Sequence, residues 1–490
     1  MRTVELSQLA HWCEGRLLGD DVPISGISTD SRDDLHGALF VALKGERFDA
    51  HEFVAQAKAN GAAALLTHRP VDSDLPTILC ADTEEALGEI AAGLARTRPA
   101  VVLALTGSNG KTSVKTLLHA ILLHAGKAYV NPGNRNNEIG LPLAVIEAPE
   151  DAQFAIYEMG AGKSGDIAYL TSIVTPNIAL VNNIAPAHIE RMGSLLGIAE
   201  TKGAIYEALP DDGLAVVNVD DAEGRSLAQT LLDRKRPAQV WTFSCQGPAR
   251  LQARHIRWHS SSEGGAGLAF EVCEGDEALA LQTRMVGAFN VSNVLAVIAA
   301  LRALGHPLAD AVQACAHLPS VPGRMNSLGG VKQPLVVVDY AHTPDALEKA
   351  LQALHDVAQQ RQGKLWCVVG CGGERDVGKR PLMARVAEAQ AQCVVLTSDN
   401  PRSEPAQNIV ADMLKGLKAP HAAHQELDRA KAIQYVVTQA GPSDVILIAG
   451  KGHEETQEIA GVKYPFDDRV HAQQALRQRA ESILKSGLVS

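Results

Sequence analysis

The chain has 490 residues, with 45 Lys and Arg against 56 Asp and Glu, a net charge of -11, 46% hydrophobic and 21% charged residues. This length holds about three domains with cores of their own, and the composition is globular, neither disordered nor fibrous. No excess of Lys and Arg exists to neutralise phosphates, which excludes nucleic-acid binding as the main role, and no apolar run reaches the roughly 18 residues of a membrane span.

The opening stretch MRTVELSQLAHWCEG has neither a basic region nor a continuous apolar core of the targeting kind, so a cytoplasmic protein is expected. Eight cysteines (Cys13, Cys80, Cys245, Cys273, Cys315, Cys367, Cys371 and Cys393) are scattered without a CxxC pair and read as reduced thiols filling cores. Short β-branched runs alternate with helical patterns along the whole chain, which predicts α/β domains with parallel sheets. Proline-punctuated breaks at Arg96–Pro99 and Leu318–Gly323 divide it into residues 1–98, 99–320 and 321–490.

The clearest unit is a strand at Val101–Leu105, the loop Thr106-Gly107-Ser108-Asn109-Gly110-Lys111-Thr112-Ser113, and a helix whose apolar face is Val114, Leu117, Leu118, Ile121, Leu122 and Ala125. Gly-rich backbone between a buried strand and a helix start turns its N–H groups toward phosphate oxygens, Lys111 adds a cation, and the Thr112 hydroxyl suits magnesium (Mg²⁺). The general P-loop has glycine six residues before the lysine, and that position here is Leu105. Later strands are expected at Ala155–Tyr157, Ile178–Val181, Leu335–Val338, Leu365–Val369, Val394–Leu396 and Val445–Ile448. Their tails EMGAGKSGD, NNIAPAH, DYAHTPD, GCGGERD, TSDNPR and AGKGHE are polar, and ligands of open parallel sheets lie at carboxyl ends of strands. Glu158 and His188 stand in two of these tails as candidate metal ligands.

TGSNGKT, NNIAPAHIERMGS, ETKGAIY, PGRM, DYAHTPDAL, GERDVGKRP, DNPRSE and AGKGHE, in this order, resemble the Mur ligases, ATP-dependent amide-forming enzymes of peptidoglycan synthesis. The resemblance implies a small α/β N-terminal domain (1–98) for the UDP part of a UDP-MurNAc-peptide, a central P-loop ATPase-like domain (99–320) for ATP, and a C-terminal Rossmann-like domain (321–490) for the incoming amino acid. It places Mg²⁺ on Thr112, Glu158, His188 and Lys202, the last as a carbamate, and the nucleotide on the loop 106–113 with Asn290, Asn293, Arg324, Asp339 and His342. Lys111, Lys202, His188 and Asp339 carry catalysis in this reading, with Arg324 completing the phosphate clamp on domain closure. Asp30, Ser31, Arg32, Lys44, Gly45, Phe48 and Asp49 match the UDP region.

A carboxylate resists attack by an amine because oxide cannot leave, so such a ligase first converts it to an acyl phosphate with ATP. For the amine, DNPR resembles the diaminopimelate-adding branch of the family: Arg375, Asp399, Asn400, Arg402, Gly450 and Glu454 match its amino-acid contacts. Arg402 suits the distal carboxylate of meso-diaminopimelate, where a lysine would bring a like charge. In contrast NPGNRNNEIGLP, EMGAGKSGDIAYL and AHIERMGSL resemble the branch that adds D-Ala-D-Ala to a tripeptide, and the Thr-Thr-Pro and Ser-Ser-His motifs of the first branch are absent. The expectation is therefore a monomeric ligase adding meso-diaminopimelate to a UDP-MurNAc-peptide. The alternatives are a D-Ala-D-Ala ligase, a nucleotide-binding scaffold without catalysis, or a folate or polyamino-acid ligase.

Overall fold

The computed structural model describes residues 1–45, 48–186, 192–234, 239–260, 266–318, 321, 323–330 and 332–487. Its contacts divide the chain into two units, Met1–Gln252 with Leu295–Ala311, and Ala253–Val294 with Val312–Ser490, the cut falling within one continuous helix, Phe289–Ala303.

The first unit begins with a short antiparallel ladder of β1 (Val4–Glu5) and β3 (Pro23–Ile24). A five-stranded sheet follows, built from β2 (Arg16–Leu18), β4 (Gly26–Ser28), β5 (Ala38–Val41), β6 (Ala64–Thr67) and β7 (Thr77–Leu79) in the order β2-β7-β6-β5-β4. Side chains of a strand alternate between faces, so Ala38 and Phe40 enter a small core with Val54 and Ala57, whereas Leu39 and Val41 enter the large core of the unit. That large core also takes helix Thr83–Ala95 and helix Asp166–Ile173. Gly88 and Gly93 allow this approach: a Cβ there would collide with the Tyr169 hydroxyl and with the Trp12 ring, respectively.

The central sheet consists of β8 (Val101–Thr106), β9 (Ala128–Val130), β10 (Phe154–Glu158), β11 (Ile178–Val181), β12 (Leu214–Asn218) and β13 (Val240–Ser244), ordered β13-β12-β11-β8-β10-β9 and all parallel. Strand β14 (Leu251–Ser260) starts beside β13. Helix Lys111–Ala125 buries Val114, Leu117, Leu118 and Leu122 as its pattern predicts, but Ala125 is exposed and Lys115 is buried.

The second unit holds the antiparallel hairpin β15 (Ala266–Glu274) and β16 (Glu277–Thr283). Its main sheet contains β17 (Asn326–Gly329), β18 (Leu335–Asp339), β19 (Leu365–Val369), β20 (Cys393–Leu396), β21 (His424–Gln425) and β22 (Val445–Ala449) in the order β17-β18-β22-β19-β20-β21. All but β17 run parallel, and both faces are covered: Val337, Cys367 and Leu447 join one core, Val336, Val368 and Ile446 the other. A second hairpin, β23 (Thr456–Ile459) and β24 (Val462–Pro465), follows β22. Every strand expected from the sequence is present. All eight cysteines are free, and burial pushes the thiols of Cys315, Cys367 and Cys371 up to about 12, which keeps them protonated and inert. No described helix is long and apolar enough to cross a membrane.

Candidate functional site

Within the first unit the ladder register sets the site. Thr106 pairs with Val181 and Leu105 with Glu158, so the phosphate loop, the Asn182-Asn183 stretch and the Glu158 carboxylate leave the sheet at one edge. Gly110 precedes the helix at φ +78°, a left-handed conformation that costs an L side chain about 1–2 kcal/mol, and no side chain caps the first turn, so the N-terminal N–H groups face outward. The loop is pinned from behind. Ser108 N–H donates to Asn183 O, Asn109 N–H to Asn183 Oδ1 at 2.8 Å, Asn182 Nδ2 to Asn109 O, and the Ser108 hydroxyl to Ala185 O. Lys111 Nζ donates to Gly107 O at 2.8 Å, which folds the cation over the loop. Ser113 is buried, and the Thr106 hydroxyl donates to Met159 O.

Glu158 is buried, 3% exposed, and its Oε1 accepts from Asn136 Nδ2 at 2.8 Å. Its Oε2 has no hydrogen-bond partner but lies 3.3 Å from the ammonium of Lys115, itself held by the carbonyls of Asn131 and Gly133. A buried carboxylate oxygen without a hydrogen-bond partner is a hard donor of the kind a magnesium ion takes. Among the described residues no three His, Cys, Asp or Glu side chains gather as a metal site. His188 lies outside the described residues. Lys202, on helix Leu195–Glu207, is 3% exposed, and burial together with the neighbouring Lys111 ammonium pushes its amine down to about 7. A cleft of about 860 Å³ opens beside the loop, lined by Lys111, Asn136, Asn137, Gly160, Lys163 and Asp166 among others. It is built from the NRNNEIG and EMGAGKSGD segments, whose individual residues sequence reasoning did not select apart from Glu158.

In the N-terminal sheet region, Asp30 receives the backbone and guanidinium of Arg32, Ser31 is buried with its hydroxyl on Gln56, and Phe48 is 73% exposed. Lys44 bridges to Asp49, and Gly45 N–H donates to Phe48 O. Asp49 anchors this segment by accepting from the His51 backbone and ring and from Arg69, which hold its carboxyl down at about 2.

In the second unit, parallel β18, β22, β19 and β20 deliver DYAHTP, AGKGHE, GCGGERD and TSDNPR to one edge. Asp339 accepts from the N–H groups of Met325 and Ala341 at 2.9 Å each; burial pushes its carboxyl up while those donors and the Arg324 guanidinium pull it down. The Arg324 guanidinium lies 5.3 Å from the centre of the Tyr340 ring, and His342 contacts the Tyr340 carbonyl. Gly323, at φ +65°, lets the chain pass Gly452 and His453, whose backbone a Cβ would strike. Asn290 and Asn293 are both buried, and Asn293 Nδ2 donates to Asn290 Oδ1.

At the amino-acid end, Asn400 Nδ2 donates to Glu454 Oε2 at 2.8 Å, and the fully buried Lys451 bridges Asn400 Oδ1 and Glu454 Oε2 at 3.1 Å each, with Asp399 at 3.7 Å. Gly450 takes φ +117° next to Asp399. Arg402 Nη1 donates to Gly373 O, and Arg375 is exposed on the same loop as Gly372 and Gly373. Beneath them Arg429 and Asp468 form a fully buried bidentate pair. Lys451, Arg429, Asp468, Lys115, Asn182 and Asn183 were not selected from sequence, though Lys451, Asn182 and Asn183 stand inside motifs that were.

Phosphate handling in one unit and paired charges for a polar amine in the other put the protein among ATP-dependent ligases. Comparison with known proteins names the family. A Mur ligase middle domain matches residues 105–301, a Mur ligase, glutamate ligase domain residues 323–452, and a Mur ligase family, catalytic domain residues 23–95. The chain is 41% identical to the UDP-N-acetylmuramoyl-L-alanyl-D-glutamate–2,6-diaminopimelate ligase of Acidovorax sp. (strain JS42) over 97% of each. It is 39% identical to the UDP-N-acetylmuramoyl-tripeptide–D-alanyl-D-alanine ligase of Escherichia coli (strain K12) over 74% of this chain and 78% of that one. A crystal structure of MurF from Acinetobacter baumannii superposes with a TM-score of 0.75 at 26% identity, covering 98% of this chain and 99% of that one. The chain belongs to the Mur ligase family.

Proposed function

We propose that the protein adds meso-diaminopimelate to the D-glutamyl carboxylate of a UDP-MurNAc-peptide with ATP. The loop 106–113 holds the triphosphate through helix-terminal N–H groups and Lys111, with Arg324, Asp339 and His342 and the Asn290–Asn293 pair serving the nucleotide. The terminal phosphoryl group passes to the acceptor carboxylate, the amine attacks the resulting acyl phosphate, and ADP and phosphate leave. Magnesium, held by Thr112, Glu158, His188 and a carbamate of Lys202, would neutralise charge building up between phosphate and carboxylate. Lys202 is suited to carbamate formation because an amine near 7 is substantially unprotonated at neutral pH, and only the free amine attacks carbon dioxide. Residues 1–98 carry the UDP site at Ser31, Arg32, Lys44, Gly45, Phe48 and Asp49; residues 99–320 carry ATP; residues 321–490 carry the amine site at Arg375, Asp399, Asn400, Arg402, Gly450 and Glu454. The protein acts as a monomer in the cytoplasm.

The observation that carries this reading is that Arg402, whose guanidinium donates to Gly373 O, leaves the same strand end as Asn400, whose side chain joins Lys451 on Glu454. A second reading, addition of D-Ala-D-Ala to a tripeptide, is favoured by the cleft built from NRNNEIG and EMGAGKSGD, the segments that read as that branch. Amine-dependent phosphate release separates the two. With ATP and magnesium, UDP-MurNAc-L-Ala-D-Glu plus meso-diaminopimelate is expected to turn over; turnover only with UDP-MurNAc-tripeptide plus D-Ala-D-Ala refutes the first reading in favour of the second.

A further inference from the structure

Glu158 ends β10 with its carboxylate enclosed, and among the described residues one cation pairs with it. The side chains of Lys115 and Glu158 are 5% and 4% exposed, with Nζ 3.3 Å from Oε2. The Lys115 ammonium donates to Asn131 O at 3.1 Å and to Gly133 O at 2.9 Å. Two of its three protons are thus spent on carbonyls, and Glu158 Oε2 receives the charge of Lys115 without a hydrogen bond.

Both partners are held in place. Asn131 Oδ1 accepts the Glu158 N–H at 2.9 Å, and Asn131 Nδ2 donates to Glu158 O at 3.1 Å and Arg135 O at 2.8 Å. Asn136 Nδ2 holds Glu158 Oε1 at 2.8 Å while its carbonyl accepts the Gly160 N–H at 2.7 Å. Lys115 follows Lys111 by one turn of helix Lys111–Ala125, so the helix that supplies the loop's cation supplies the counter-ion of Glu158 as well. Of the other carboxylates lining the cleft, Asp166 accepts the N–H groups of Gly162 and Lys163, and Glu138 raises the groups of Glu84 and Tyr169, on the side of helix Thr83–Ala95. A divalent cation that reaches Glu158 therefore meets a carboxylate whose charge is already balanced.

Resting on the placement of magnesium at Glu158, we propose that Lys115 is a positioning residue that serves as the resident counter-ion of Glu158 and keeps the divalent-cation affinity of the nucleotide-free protein low. An ammonium and a divalent cation sharing one buried carboxylate repel each other with little screening. The loop itself, with its helix-terminal N–H groups and Lys111, adds only positive charge. The phosphates of the nucleotide supply the missing negative charge, so the divalent cation enters with them and not ahead of them.

The test titrates the full chain with Mn²⁺, reading the free ion by electron paramagnetic resonance, with and without a non-hydrolysable ATP analogue. Lys115→Met is expected to tighten Mn²⁺ binding to the nucleotide-free chain about tenfold or more, and adding Glu158→Gln to remove that gain. Lys115→Gln, which keeps a donor for the carbonyls of Asn131 and Gly133 without the charge, is expected to do the same and serves where the Met variant does not fold. Unchanged or weaker Mn²⁺ binding in both Lys115 variants overturns the proposal, because a purely structural ion pair gives no gain on removal. Glu158→Gln alone is expected to weaken Mn²⁺ binding in the presence of the analogue; unchanged binding there overturns the placement of the metal at Glu158 and this inference with it.

Discussion

Replacing Asp468 with Asn is expected to cost the C-terminal unit about 3 kcal/mol. Arg429 and Asp468 are both fully buried, and the carboxylate accepts from Nε and Nη2 at 2.7 Å each. The remaining donors reach the carbonyls of Ser398 at 3.2 Å and Ala449 at 3.0 Å, which ties the ends of β20 and β22 together beneath Asp399 and Gly450. Asn keeps one acceptor and turns an N–H₂ toward the guanidinium, so one charge-assisted bond worth about 1.5–3 kcal/mol goes and the cation stays buried without its counter-charge. Breaking a buried pair from one side costs about 3–5 kcal/mol, and the retained acceptor puts Asn at the lower end. With a urea slope of about 3 kcal/mol per molar, the midpoint falls by about 1 M. Hydrogen exchange in peptides from β18 and β22 follows this unit separately from the rest of the chain. The double variant Arg429→Met with Asp468→Leu is expected to recover most of the loss, since the attraction within the pair is largely offset by desolvation. A single variant within about 0.3 M of wild type, or a double variant as unstable as the single, refutes the reasoning.

Three further outcomes are expected. Lys202 is held near 7 in the folded protein against 10.5 in the unfolded chain, so between these values the unfolded state binds more protons and stability rises with pH; Lys202→Met in buffer free of carbon dioxide should therefore gain stability most below pH 7, the gain shrinking toward pH 9, and a pH-independent gain in thermal melts contradicts this. Lys115→Met leaves the Glu158 carboxylate buried without its cation, with an expected loss of about 3 kcal/mol in urea unfolding that Glu158→Gln in the same chain largely restores. Gly110→Ala places a Cβ at φ +78°, and titration with a fluorescent ATP analogue should show about tenfold weaker binding, corresponding to a strain of about 1–2 kcal/mol; unchanged affinity means the loop relaxes without cost.

The strands and their polar tails were legible because a two-sided parallel sheet demands uninterrupted apolar runs, and the chain must change character where each run ends. Such runs need no tertiary knowledge: Leu335–Val338 and Val445–Ile448 are apolar on both faces because helices cover both. The loop 106–113 was legible because its chemistry is local to one turn. The groups that hold the sites in place were not, since their partners are remote in sequence. Lys115 reads as a polar interruption of a helix face, and only the approach of β10 makes it the counter-charge of Glu158. Arg429 meets Asp468 across 39 residues and Ser398 across 31, distances that no periodicity encodes.

The mixed character of the sequence follows the division into units. NRNNEIG and EMGAGKSGD, which read as one branch of the family, lie in the first unit, and DNPR with AGKGHE, which read as the other, lie in the second. The large core of the first unit and the two cores of the second unit's main sheet are separate clusters of side chains. Similarity of fold is dominated by such cores, whereas the two branch resemblances rest on polar segments at strand ends, so the two need not rank relatives alike.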